Sequence, residues 1–171
     1  MRIIDNFIDE NKFHEIGNLM MSEDFPWFFS GTIDTARDDD EGIDKFQFVH
    51  MFHADHSPQS SFCDQLIPII DIIDPLSIFR IKANLLTRTH DIVENAFHVD
   101  IGHTSEEKLK QWTTAIFYVN TNNGYTKFED GTKVESVANR MVIFPANLKH
   151  TGTSCSDDKA RIVINFNYFK H

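Results

Sequence analysis

"TTAIFYVNTNNGYTKFEDGTKV", residues 113–134, sets the class of the fold. "TTAIFYVN" is a run of β-branched and aromatic residues that leads into Asn123-Gly124. "KFED" leads into Gly131 in the same way. Asn-Gly and Asp-Gly are favoured tight-turn pairs, so the stretch reads as short strands separated by turns. Downstream, "NRMVIFPA" and "RIVINFNYF" add two more strands. Upstream, "IFRIKANLLT" alternates: Arg80, Lys82 and Asn84 share one face, and Phe79, Ile81, Ala83 and Leu85 the other.

The first third mixes helix, loop and strand. Asp9 is placed to cap a helix whose Phe13, Ile16, Leu19 and Met20 follow helical spacing, with Pro26 closing the segment. "KFQFVHMFHADH" alternates as a strand. Phe62, Leu66, Ile69 and Ile73 mark a second helix behind a Ser60 or Ser61 cap, with Pro68 as a kink or a late start. Two helices leading into many short antiparallel strands predict a mainly β fold with flanking helices (α+β), arranged as a double-sheet jelly roll.

Composition narrows the classes of function. A chain of 171 residues, 41% hydrophobic and with 16 phenylalanines, suits one packed domain. Residues 1–77 read as helical and loop support and residues 78–171 as the jelly-roll core. A net charge of −10 argues against nucleic-acid partners, since sequence-independent affinity needs clustered Lys and Arg. The acidic run from Asp38 to Glu41 reads as a solvated loop. Cys63 and Cys155 make neither a disulfide framework nor a zinc spacing, which suits a reducing cytoplasm. The sequence shows no signal peptide and no apolar run near the roughly 20 residues a membrane span needs, so no membrane partner is expected.

"FHVDIGH", residues 97–103, reads as a half-buried strand with His98 and Asp100 on one face. An imidazole and a carboxylate aimed at one small volume need an occupant there. His150, after the strand ending in "FPANLKH", is the third candidate. Two histidines and one carboxylate form the facial set that leaves positions on Fe(II) open, whereas a structural zinc site closes its shell. Arg161 opens the last long strand, and its planar fork is suited to a carboxylate. His50, His53 and His56 form a second histidine cluster whose three-residue spacing does not converge on a strand. His103 follows the His98–Asp100 pair as a candidate for the site entrance.

"HVD", "TTAIFYVNTNNGYTKFEDG" with its Gly124-x-Thr126-x-Phe128 stretch, "MVIFPANLKH" and "ARIVINFNYF" follow one another in an order that resembles the Fe(II)- and 2-oxoglutarate-dependent oxygenases, prolyl 4-hydroxylase-like branch. The resemblance spans residues 78–169, and the N-terminal part resembles small phage and bacterial members more loosely. It implies a cupin-like double-stranded β-helix forming a single oxygenase domain. His98, Asp100 and His150 would hold iron as the catalytic centre, and Arg161 would take the distal carboxylate of 2-oxoglutarate. Tyr118 matches a tyrosine that helps there, and Asn165 shares a strand face with Arg161. Where the family often supplies a tyrosine or asparagine to the cosubstrate from the strand before the His-x-Asp pair, this chain has no tyrosine and offers Asn84 or Lys82 for that role.

The implied activity is a dioxygenase that uses O2, hydroxylates an unactivated C–H bond, and releases succinate and CO2. Ascorbate is an optional stimulant. The substrate would be a prolyl or other peptide residue, a free amino acid or another small molecule. The compartment would be the cytoplasm, or a host's cytoplasm for a phage protein. The competing class is a non-catalytic jelly-roll module that binds a metal or small ligand. Such a module has no need to keep Arg161 together with a complete triad.

Overall fold

A computed structural model describes residues 1–33, 45–102 and 104–170. The acidic run Asp38–Glu41 and His103 lie outside the described residues. In chain order the elements are β1 (Arg2–Ile4), α1 (Glu10–Met20), β2 (Phe28–Ser30), β3 (Gln47–Ala54), β4 (Ser57–Pro58), a 3-10 turn (Cys63–Leu66) and α2 (Ile67–Ile73). β5 (Ser77–Thr87), α3 (Glu106–Leu109), β6 (Trp112–Tyr118), β7 (Tyr125–Phe128), β8 (Lys133–Glu135), β9 (Arg140–Pro145), β10 (His150–Gly152) and β11 (Ala160–Phe169) follow.

Asp9 caps α1 as its sequence demands, accepting hydrogen bonds from the Asn11 and Lys12 backbone N–H groups. The helix stops at Met20, well before Pro26. Pro68 sits in the first turn of α2, where its missing N–H leaves no helical bond unmade.

The main sheet runs β1-β9-β6-β11-β5-β3-β2, with β4 beside β3, and every pair is antiparallel. A second sheet runs β10-β7-β8. The two sheets form the double-stranded β-helix, a mainly β architecture with helices packed outside. Residues 1–77 supply β1 to β4 to the main sheet as well as helices.

Alternation along the central strands decides what faces the site. Even-numbered Ile162, Ile164, Phe166 and Tyr168 of β11 join Ile16, Met20, Leu66 and Ile69 in the core under the helices. Odd-numbered Arg161, Val163 and Asn165 turn to the space between the sheets and line a cavity. β5 does the same: Ile81 and Ala83 are core residues, whereas Arg80, Lys82 and Asn84 line the cavity. The two sheets close against each other through Ile116, Tyr118, Phe128, Val134, Val142, Phe144 and Val163. Each such aliphatic or phenyl group contributes about 1.5–3 kcal/mol when fully buried.

Two expectations from the sequence are corrected. Asn123-Gly124 is not a hairpin turn: β6 pairs with β9 and β11, and the chain crosses at this point to the other sheet. Asp130-Gly131 does turn the β7–β8 hairpin, with Gly131 at φ +88°. Residues 97–102 do not form a regular strand. His98 makes an isolated antiparallel bridge with His150.

The N-terminal segment is tied to the sheets by Asn139, which has φ 59°. Its buried side chain accepts from the Ile8 N–H at 3.1 Å and donates to the Ile8 carbonyl at 2.8 Å. Asn139→Gly, which keeps the positive φ, is expected to lose about 1–3 kcal/mol through the two stranded backbone groups. Asn139→Ala should lose more, because alanine is strained at that φ. Urea unfolding of both variants checks the order.

Candidate metal centre

His98 and His150 are brought together by the backbone. The His98 N–H donates to the His150 carbonyl at 3.0 Å, and the His150 N–H donates back at 3.0 Å. Each ring is then oriented by its own neighbourhood. His98 Nδ1 lies 3.1 Å from the Ala96 carbonyl and His150 Nδ1 lies 3.3 Å from the Leu148 carbonyl. A carbonyl only accepts, so Nδ1 carries a proton in both rings and Nε2 is the nitrogen turned toward the site. Both Nε2 atoms face Asp100: Oδ1 is 3.8 Å from His98 Nε2 and 3.9 Å from His150 Nε2. Ligand atoms of the three residues lie within 4.8 Å of one another. Among the described residues no other trio of His, Cys, Asp or Glu converges in this way.

The Asp100 carboxyl is buried. Burial alone would raise its pKa, but His150, the Arg80 guanidinium, the Asn167 amide and His98 outweigh it and hold the group below the usual carboxylate range. Asn167 Nδ2 donates to Asp100 Oδ2 at 3.0 Å and its Oδ1 accepts from Arg80 Nε at 3.0 Å. Arg80 Nη2 is 3.5 Å from Asp100 Oδ1. Asp100 is therefore fixed as an anion with one edge presented to the imidazoles. Burial pushes His150 below the usual imidazole range, with Asp100 opposing. Two imidazole nitrogens and one carboxylate on one side of a point suit a divalent ion of the iron class with its other positions open.

Arg161 lines the same cavity, of about 190 Å³, and is only 2% exposed. Its Nε donates to Ser136 Oγ at 2.7 Å and its Nη2 to Thr126 Oγ1 at 3.1 Å. Both partners are neutral hydroxyls. No carboxylate among the described residues pairs with this guanidinium, and burial presses on its charge. A buried, uncompensated cation beside a metal-type trio marks a place for an anion.

Gly124 and Gly152 make the room. A Cβ at Gly124 would stand 2.7 Å from both Arg161 Cδ and the Ser154 carbonyl oxygen, and one at Gly152 would stand 3.3 Å from Arg161 Nη1. Gly124→Ala is therefore expected to cost about 1–3 kcal/mol, because a backbone carbonyl has to move. Comparing its denaturant midpoint with that of Gly131→Ala, where the Cβ is unobstructed but φ is positive, separates crowding from backbone strain.

The remaining candidates fall into place unevenly. Asn84 and Asn165 line the cavity, and Asn165 Oδ1 is buried without a hydrogen-bond partner among the described residues. Lys82 lines it too, its pKa lowered by burial and then by Arg80. Tyr118 stands behind the cavity wall. Burial raises its pKa, and its hydroxyl donates to Thr126 Oγ1 at 2.8 Å. Thr126 thereby links Tyr118 to Arg161, and the ring lies under the guanidinium at 5.7 Å.

The second histidine cluster does not converge. His50 bridges the Pro26 carbonyl and Ser60 Oγ at 2.8 Å each, and His56 meets Ser77 Oγ. His53 is buried, which lowers its pKa. Asn167 is not among the sequence candidates, Thr126 is there only as part of the Gly124-x-Thr126-x-Phe128 stretch, and Arg80 only as a strand-face residue. Asn167 carried one usable signal, its shared parity with Arg161 on the last strand.

No protein-family model matches the chain, and no curated protein does. Solved structures do. A prolyl hydroxylase from Trichoplax adhaerens, in complex with a peptide fragment of the hypoxia inducible factor oxygen degradation domain, superposes with a TM-score of 0.67 at 13% identity, covering 98% of this chain and 82% of that one. A prolyl-4-hydroxylase from Pseudomonas putida gives 0.63 at 14% identity, covering 99% and 92%. The epimerase SnoN of nogalamycin biosynthesis, in complex with Fe3+, alpha ketoglutarate and nogalamycin RO, gives 0.66 at 13%, covering 98% and 78%. The chain thus has the double-stranded β-helix fold of the 2-oxoglutarate- and Fe(II)-dependent oxygenases. Prolyl hydroxylases stand among its structural neighbours.

Proposed function

We propose that this chain is an Fe(II)- and 2-oxoglutarate-dependent dioxygenase, one oxygenase domain across residues 1–171, that hydroxylates an unactivated C–H bond. The buried Arg161, with no carboxylate partner among the described residues and in one cavity with His98, Asp100 and His150, carries the reading. A metal-binding module has no use for such a cation, whereas 2-oxoglutarate has one carboxylate for the metal and a second for the guanidinium. Bound there, iron with the 2-oxo acid and O2 supplies the oxidising chemistry, with succinate and CO2 as products.

The chain's own share is placement and exclusion of water. His98, Asp100 and His150 hold the ion, with Asn167 and Arg80 fixing the carboxylate. Arg161, steadied by Ser136 and Thr126, sets the angle of the 2-oxo acid. Ile116 and Val163 present apolar surface to the cavity and keep its floor dry. A residue of a peptide, prolyl or other, or a free amino acid would be the substrate. Two free, buried cysteines fit a reducing compartment such as the cytoplasm. No helix among the described residues is long and apolar enough to cross a membrane.

The test is anaerobic reconstitution with Fe(II) and 2-oxoglutarate, then admission of O2 and assay of succinate with peptides and amino acids. Succinate that depends on protein, iron and O2 supports the reading. None above the protein-free control, with or without substrate, sinks it in favour of the non-catalytic module.

A further inference from the structure

The cavity holds more positive charge than a 2-oxo acid needs, and the excess lies to one side. Strand register gives the layout. Across the β11–β5 pair, Arg161 is opposite Leu86, Val163 opposite Asn84, Asn165 opposite Lys82, and Asn167 opposite Arg80. Asp100 is tied to Asn167, so the metal-type trio belongs to the Asn167–Arg80 end and Arg161 to the other. A 2-oxo acid spanning them lies along β11. The rest of the cavity spreads over β5 toward β3 and β2, where Gln47, Ser30, Thr32 and Ile33 line it. Gln47 is held by donating Nε2 to the Thr32 and Ile33 carbonyls at 3.0 Å each.

Two cations face this second lobe. Arg80 is already engaged by Asp100 and Asn167. Lys82 has no ion pair and no hydrogen bond to any described residue, although most of its side chain is out of water. Asp100 is the only carboxylate lining the cavity among the described residues, and it is committed to the metal-type trio. The lobe's other polar residues, Ser30, Thr32 and Gln47, are neutral.

We infer that the lobe over β5, β3 and β2 receives the primary substrate and that Lys82 binds a carboxylate on it, so the substrate is a small carboxylate-bearing molecule. This rests on the reading of the trio and Arg161 given above. Lys82 is a half-buried cation with no ion pair among the described residues, and a carboxylate is the counter-charge that such a lobe leaves room for. A neutral prolyl ring would leave Lys82 unpaired.

The experiment loads the whole protein with redox-inert Zn(II) and 2-oxoglutarate. Binding of the L-amino acids and short-chain dicarboxylates, each beside its carboxamide counterpart, is then measured by saturation-transfer NMR. At least one carboxylate is expected to bind about tenfold or more tightly than its carboxamide. Lys82→Met should remove that preference and Lys82→Arg should retain much of it, with Zn(II) and 2-oxoglutarate affinities near wild type in both.

The inference is overturned if no carboxylate in the panel binds, or if carboxylates and carboxamides bind alike. It is equally overturned if Lys82→Met weakens 2-oxoglutarate as much as the second ligand, for Lys82 then belongs to the 2-oxo acid's own site. Failure of the wild type to bind Zn(II) and 2-oxoglutarate is a different result and overturns the underlying reading as well.

Discussion

Asp100→Ala and His98→Ala are each expected to lose more than about 100-fold in Fe(II) affinity, with turnover falling to background. Removing a partner that only orients a ligand costs about 10- to 100-fold, and removing a ligand has to exceed that. Asn167→Ala provides the internal scale. It keeps all three ligand atoms but frees Asp100 Oδ2, so its loss should fall inside the 10- to 100-fold range. Metal titration with far-UV circular dichroism on the same samples separates lost metal from lost fold. Wild-type Fe(II) affinity in a folded Asp100→Ala would refute the trio as the metal site.

The second large effect is at Arg161, and it separates the cosubstrate from the metal. Arg161→Ala should weaken 2-oxoglutarate by about 10- to 150-fold, the range of one charge-assisted hydrogen-bonding group at roughly 1.5–3 kcal/mol. Arg161→Lys keeps the charge but cannot place two planar donors on Ser136 and Thr126 while a third faces the ligand, so it should fall between. Fe(II) affinity should stay close to wild type in both, since Arg161 touches no ligand of the trio. Unchanged 2-oxoglutarate affinity in Arg161→Ala would remove the main support for a dioxygenase.

Much of this was legible in the sequence because parity on a strand is a strong constraint. Arg80, Lys82 and Asn84 against Ile81 and Ala83, and Arg161 and Asn165 against Ile162 and Ile164, fall on opposite faces by period alone. Which strands lie side by side is not written locally. Asn123-Gly124 has hairpin chemistry, but its flanking strands pair with distant partners, and the tight fit at Gly124 reflects Arg161 reaching over it rather than a turn. Asp100 gains its partners through register: Asn167 and Arg80 become neighbours only because β11 and β5 pair with that offset. His98 and Asp100 do converge, yet through a bridge to His150 rather than through a strand of their own. Tyr118 has the parity to face the cavity, but its hydroxyl is taken by Thr126, a contact across two sheets that no local pattern encodes.

The mutual backbone bonds between His98 and His150 also couple metal retention to local opening. Two of the three ligands share one pair of amides, so the chain cannot lift His98 away without exposing the His150 N–H as well. Their amide protons should therefore show the same protection factor against exchange with deuterated water, as one cooperative opening rather than two. A bound divalent ion should slow both by the same factor, because it binds the closed form alone. In such a protein one small β-bridge sets how readily two of the three ligands part together.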